Sequence, residues 1–222
     1  MFLPRLSENV RHILANAALA ACVASASMAT AQTMDHGTQH HHHEHEAQIR
    51  DGVEKASVEL KNHPVLDQNG QSNLFVDDLV SDKIVVFDFI FTSCTTVCPV
   101  TTVLLSKAHD NLSDIGETDL AFISLSIDPN QDTPARLKAF AEERSANWTF
   151  VTGEKKVMDD LLVAMDAYTT NPEDHIPMLI IGDAKTGKFE RHFGLPDPDA
   201  VEKRVRDLLK ARATHHNHHG HH

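Results

Sequence analysis

The chain has 222 residues, 41% of them hydrophobic, which supplies the core of one ordinary domain and falls short of what two large domains would need. With 9 Gly and 9 Pro it is neither collagen-like nor broadly disordered. Lys and Arg number 20 against 32 Asp and Glu, and the formal charge of −12 excludes the basic footprint that nucleic acid or anionic lipid requires.

Arg5 and Arg11 precede a small apolar run from Ile13 to Ala31 that closes on Ala29-Thr30-Ala31. A basic start, an apolar middle and a small-x-small end make a secretory signal. Residues 1–31 are therefore expected to be a signal peptide removed before Gln32, which predicts an exported, periplasmic protein, soluble or tethered. Leu19-Ala20-Ala21-Cys22 also has the form of a bacterial lipoprotein box, which would place a lipidated Cys22 at the mature terminus, and an uncleaved anchor is a third reading. Each of the first two removes Cys22 from thiol chemistry. Export then leaves Cys94 and Cys98 as a close pair in an oxidising compartment: a disulfide, a metal site, or an alternation between them.

Histidine is the outlier of the composition, with 17 residues, and six lie in each of two polar tracts. Residues 32–57 read as a His-rich N-terminal tail that opens QTMDHGTQHHHHEHE, and 214–222 as a C-terminal tail carrying HHNHHGHH. Flexible imidazoles capture Cu(II), Ni(II) or Zn(II) without fixed geometry, which suits loading or buffering. A purification tag is the bland alternative for the second tract.

The folded part is expected at 58–213. Residues 83–91, KIVVFDFIF, read as a buried strand. TSCTTVCP follows, then a helix to about Asn111 with Val100, Val103, Leu104 and Ala108 expected on one face. Residues 119–127 are the next strand, and Thr133 with Pro134 opens a helix as N-cap and first residue. A short strand at 148–151 leads to a helix from Glu154 to Tyr168. A hairpin pairs 178–182 with 187–193 around Lys185-Thr186-Gly187, and a last helix runs from Asp199 to Ala211. This order implies an α/β fold, a mixed sheet with helices on both faces.

Cys94-Thr95-Thr96-Val97-Cys98-Pro99 lies where the buried strand hands over to a helix. Free N–H groups and the helix dipole should favour both thiolates there, with Cys94 at an exposed edge. The three-residue spacing opens the ring enough for both sulfurs to grip one ion. Two thiolates plus an imidazole form a soft site suited to Cu(I), with Cu(II) tolerated through the nitrogen. Of the histidines outside the tails, His12 belongs to the leader, His63 to a loop, His109 to a helix end as a surface cap, and His192 to a half-exposed strand position. His175 sits in Asn171-Pro172-Glu173-Asp174-His175-Ile176-Pro177, held between prolines, with Asp174 as a potential supporting partner. By position alone it reads as a loop histidine facing solvent.

FIFTSCTTVCP at 89–99, SIDPNQDTP at 126–134 and DHIPMLIIGDAKTG at 174–187, in this order, resemble the Sco/SenC family of copper-binding, thioredoxin-fold proteins associated with cytochrome oxidase assembly. The likeness spans about 58–210. It implies a thioredoxin-like domain, copper thiolates at Cys94 and Cys98, a third ligand at His175, and Cu(I) and Cu(II) as the metal. Asp128-Pro129 and Asp132-Thr133-Pro134 match a motif read as structural. The chain departs from many members in Thr95 and in Ile176-Pro177, which has the form of the proline loop facing the dithiol in thioredoxins. The leading expectation is a metallochaperone handing copper to an acceptor metalloprotein such as a cytochrome oxidase subunit. The alternative is a thiol–disulfide oxidoreductase with Cys94 and Cys98 as its redox pair. A peroxidase and a sequestering protein that works through its tails are more distant readings.

Overall fold

A computed structural model describes residues 52–218; the signal, Cys22 and the first His tract lie outside this range, as does the end of the second. Eight strands form one mixed sheet in the order β1-β8-β7-β4-β5-β6-β2-β3. They are β1 (Gly52–Ala56), β2 (Pro64–Asp67), β3 (Ser72–Leu74), β4 (Ile84–Ile90), β5 (Leu120–Ser126), β6 (Thr149–Thr152), β7 (Met178–Asp183) and β8 (Lys188–Phe193). The helices are α1 (Val97–Asn111), α2 (Pro134–Glu142), α3 (Lys155–Ala164) and α4 (Pro198–His218).

β4 runs parallel to β5 on one side and antiparallel to β7 on the other. All seven of its residues are buried, as are all six of β7, so the middle of the sheet is covered on both faces. This is why the strand reads as a continuous apolar run rather than an alternation. Phe75 of the wide helical turn 75–80 stacks on Phe87 at 5.9 Å, and Phe150 and Trp148 stack at 5.6 Å. α4 is tied to β7 by Arg212, whose guanidinium reaches both Asp183 oxygens at 2.5 and 3.2 Å, and to the segment after α1 by the Arg206–Asp114 pair. The fork geometry makes such Arg pairs firmer than single contacts.

Several expectations hold. Thr133 caps α2 by accepting from the Arg136 N–H at 3.3 Å, with Pro134 as the first helical residue. The β7–β8 hairpin turns at Gly187, whose φ of 69° is open to glycine without strain. Other expectations are corrected. In α1 the buried face is Cys98, Thr101, Thr102, Leu105, Ser106 and Ala108, so Ala108 falls where expected, while Val100 and Val103 are exposed. Three hydroxyl side chains share that face, so hydrophobicity alone misplaced the two valines. α3 stops at Ala164 rather than Tyr168, because Asp166 takes a left-handed conformation (φ 52°) and the Ala167 N–H bonds back to the Leu162 carbonyl at 2.8 Å. α4 extends beyond Ala211. β1, β2 and β3 had no counterpart in the sequence pattern.

Gly182 of β7 lies opposite Phe189 of β8, and a Cβ there would stand 2.3 Å from the Phe189 ring and 2.5 Å from the Lys188 carbonyl. Gly182→Ala is expected to destabilise the domain by about 1–3 kcal/mol through overpacking at a rigid ladder, seen as a lower denaturant midpoint.

Candidate metal centre

The peptide leaves β4 at Ile90 and turns before α1, with the Cys94 N–H bonded to the Phe91 carbonyl at 3.1 Å. A carboxylate fixes this turn. Asp132, just before the α2 cap, accepts from the Thr92 N–H (2.9 Å), the Thr92 hydroxyl (2.5 Å) and the Ser126 hydroxyl (2.7 Å). Asp132 is buried, which pushes its carboxyl pKa up despite these bonds. The motif read as a helix start therefore also joins the cysteine loop to the end of β5.

Cys94 and Cys98 are both free thiols, and both are buried, at 8% and 3% exposure. Cys94 is thus not at an exposed edge. No side chain caps α1 at Thr96; instead the Cys98 N–H points at the Cys94 sulfur, 3.4 Å away. The Thr96 hydroxyl lies 3.8 Å from the same sulfur. The two thiols respond oppositely. Burial works against the Cys94 thiolate, yet hydrogen bonds from the Cys98 N–H and thiol and from Thr96 outweigh it, and its pKa falls below the ordinary thiol value. Burial pushes the Cys98 thiol well above that value, and the neighbouring Cys94 and Asp88 add to the rise. The expectation of two favoured thiolates is corrected for Cys98, which sits deeper in the helix turn where loss of water dominates.

His175 follows the short turn Pro172–Asp174 and precedes β7. Its ring is half-buried, 6.2 Å from the ring of Phe89 on the strand leading to the cysteines. Its Nε2 is buried and has no hydrogen-bond partner, so Asp174 does not engage that nitrogen. Burial lowers its pKa to about 4, leaving a neutral imidazole with a free lone pair at neutral pH. Among the described residues no group of three or more His, Cys, Asp or Glu side chains is gathered to hold a metal ion. The fold brings Cys94 and Cys98 together, and His175 does not stand with them as a preassembled triad. The Ile176–Pro177 peptide is trans, there being no cis peptide among the described residues.

The other histidines have their own settings. His63 Nε2 meets Asp160 at 2.6 Å. His109 is no surface cap: it packs edge-on to Phe122 at 5.1 Å and against Trp148 at 5.6 Å, in a cavity of about 520 Å³.

Sequence reasoning missed Asp88. It occupies the middle of β4, 1% exposed, with Oδ1 accepting from the Ser124 hydroxyl and Oδ2 unpartnered. Ser124 in turn accepts from the Trp148 indole N–H at 2.8 Å. Burial raises the Asp88 pKa to about 7. The signal was a lone acid inside KIVVFDFIF, a position that periodicity assigns to core.

Comparison with known proteins follows the same motifs. A profile of the SCO1/SenC family matches residues 54–199. The chain belongs to the SCO1/SenC family. It is 30% identical over 131 residues to the SCO1 protein homolog of Bacillus subtilis, covering 57% of this chain and 65% of that protein. The solved structure of BsSco, described as having a disulfide switch and as a member of the Sco family of cytochrome c oxidase assembly proteins, aligns with a TM-score of 0.57 and 25% identity over 72% of this chain and 98% of its own. Bradyrhizobium japonicum ScoI, solved with copper bound, aligns with a TM-score of 0.56 and 21% identity over 67% and 99% of the two chains. The fold is thus the thioredoxin-like fold of Sco proteins. No helix among the described residues is long and apolar enough to cross a membrane.

Asp88 gives the pH dependence a sign. Unfolded, it ionises near 3.8; folded, near 7. Between those values the folded state keeps a proton that the unfolded state has lost, so stability falls as pH rises through that window. Asp88→Asn removes the titration. The parent is expected to lose stability relative to this variant by on the order of 1 kcal/mol per pH unit from pH 5 to 7, with no further relative loss above. Denaturant melts at stepped pH check it; parallel curves would remove Asp88 as the cause.

Proposed function

We propose that this chain is an exported copper metallochaperone that holds copper through Cys94, Cys98 and His175 and hands it by ligand exchange to an acceptor metalloprotein, such as a cytochrome oxidase copper centre. In this reading residues 1–31 are the export signal, the thioredoxin-like domain starts with β1 at Gly52 and runs into α4, and the His-rich stretches on either side gather metal, leaving the protein periplasmic, soluble or tethered. The observation that carries it is the sulfur pair at the start of α1, where the Cys98 N–H points at the Cys94 sulfur and that thiol's pKa is lowered, in a chain of the SCO1/SenC family.

Cys94 offers the first thiolate. Cys98, held protonated by burial, releases its proton to solvent when a cation competes for its sulfur, since a bound metal ion reverses the local pKa balance. Loading therefore releases protons, and a Cys94–Cys98 disulfide would have no thiolate to offer. His175 is already neutral and needs no deprotonation; movement of the turn 171–177 would bring it to the sulfurs.

Anaerobic titration of the reduced full chain should develop copper–thiolate absorption that Cys94→Ser and Cys98→Ser each diminish. His175→Ala should still bind Cu(I) but hold Cu(II) at least about tenfold more weakly, the loss that even an outer partner of a ligand brings. Unchanged Cu(II) affinity in His175→Ala would remove that residue from the site.

The opposite shifts of the two thiols favour a second reading, the thiol–disulfide oxidoreductase. Cys94 thiolate would attack an acceptor disulfide to form a mixed disulfide. Cys98, passing its proton to the acceptor thiolate freed in that step, would then attack the Cys94 sulfur; the second acceptor sulfur leaves as a thiolate that takes a proton from solvent, so the acceptor departs as a dithiol and this protein keeps the disulfide. Turnover by metal-free protein, unaffected by His175→Ala, distinguishes this reading from the first.

A further inference from the structure

The two histidine tracts join the domain at opposite ends of the sheet. Gly52, the first residue of β1, pairs with Phe193 of β8, which pairs in turn with Met178 at the start of β7. One residue further along β7, Leu179 faces Asp88 of β4. β4 leaves the sheet at Ile90, so the chain enters β1 at the end of the sheet where the cysteine turn begins. Only β8 and β7 stand between β1 and β4, which makes three strand spacings of about 4.8 Å, or roughly 14 Å in all. The first tract, His36 to His45, closes seven residues before Gly52. A tether of that length spans up to roughly 23 Å, more than the width to be crossed.

The second tract is joined at the far end. α4 sets out from Pro198 after β8, at the end of the sheet that carries the cysteines. By Arg212 it has reached the other end, where the guanidinium bonds Asp183, the last residue of β7, and the Asp82 carbonyl ahead of β4. Ile84 pairs with Asp183 there, roughly 20 Å of strand before Ile90. The backbone stays helical to His218 and so carries the chain roughly 9 Å further from the sulfurs. His219 to His222 span at most roughly 14 Å, too little for the way back.

We propose that the N-terminal tract is the copper donor of its own chain, passing Cu(I) from its imidazoles to Cys94 and Cys98, and that the C-terminal tract takes no part in this transfer. The proposal rests on the copper reading above and deepens it by naming the donor. N–Cu bonds give way to S–Cu bonds, the thiol protons go to solvent, and copper stays Cu(I) throughout, so no oxidant or reductant is needed. A short tether sets an effective concentration on the order of millimolar, so at about 10 µM protein the step within a chain outpaces the same step between chains by about 100-fold.

Stopped-flow loading with limiting anaerobic Cu(I), followed by copper–thiolate absorption at stepped protein concentrations, tests the donor. All chains carry Cys22→Ser, which leaves two thiols. Both sulfurs are buried and the tract imidazoles outnumber them, so copper is caught on histidine first. In the parent, and in the chain lacking residues 215–222, absorption is expected to grow in a phase whose rate is independent of protein concentration. The chain lacking residues 36–45 should lose that phase and load about 100-fold more slowly at about 10 µM protein, at a rate that rises with protein concentration. A concentration-independent phase that survives loss of 36–45, or that disappears with 215–222, overturns the assignment, as does concentration-dependent loading of the parent. Absence of copper–thiolate absorption from every chain even at excess copper overturns the dithiol reading itself, and the transfer with it.

Discussion

The Asp132 carboxylate is the constraint on which the site depends. It draws together the turn before Cys94, the end of β5 and the start of α2, accepting three hydrogen bonds while nearly excluded from water. A buried carboxylate with most of its acceptor capacity filled is strongly committed to one geometry, because each lost bond leaves a desolvated group behind. The turn from β4 into α1 is otherwise short of side-chain support, since Thr96 provides no cap. Held by Asp132, it delivers the Cys94 sulfur to the place where a capping oxygen would normally stand.

From that placement the unlike behaviour of the two thiols follows. One sulfur receives the Cys98 N–H in the first turn of α1 and is stabilised as an anion; the other, on Cys98 itself, is more deeply buried, lies under the influence of the Asp88 carboxyl, and keeps its proton. A pair built this way presents a ready nucleophile or ligand and a reluctant one. Such asymmetry serves ordered exchange, whether the incoming group is a metal ion or a sulfur, because the second bond forms only after the first has changed the local charge. The His175 imidazole is held neutral by burial.

Much of this was legible in the sequence. The run 83–91, the Thr133-Pro134 start and the turn at Gly187 each combine a strong local preference with a matching tertiary role, and all fell where expected. The failures have common causes. α3 is closed by Asp166 in a left-handed conformation, not by glycine, so the usual stop signal was missing. β1 is almost wholly exposed and β3 has only three residues, leaving no periodicity to detect. The buried stripe of α1 contains Thr101, Thr102 and Ser106, and the Thr102 and Ser106 hydroxyls bond within the helix or across to the Arg144 carbonyl and so are satisfied without water. The two cysteines were identified by spacing, but their unequal burial depends on how far the helix sinks into the sheet. The acid at position 88 was visible as an anomaly, and only its partners reveal that it is half satisfied.

Trp148 is the one tryptophan of the chain, and its indole N–H ends a relay that runs through Ser124 to Asp88. Its emission therefore comes from a single ring whose nearest polar connection leads under the cysteine helix, and gain or loss of a proton at the far end changes the field across that ring. The protein in this way carries its own optical gauge: without any added dye, a fluorescence trace can follow events beneath the sulfurs in real time.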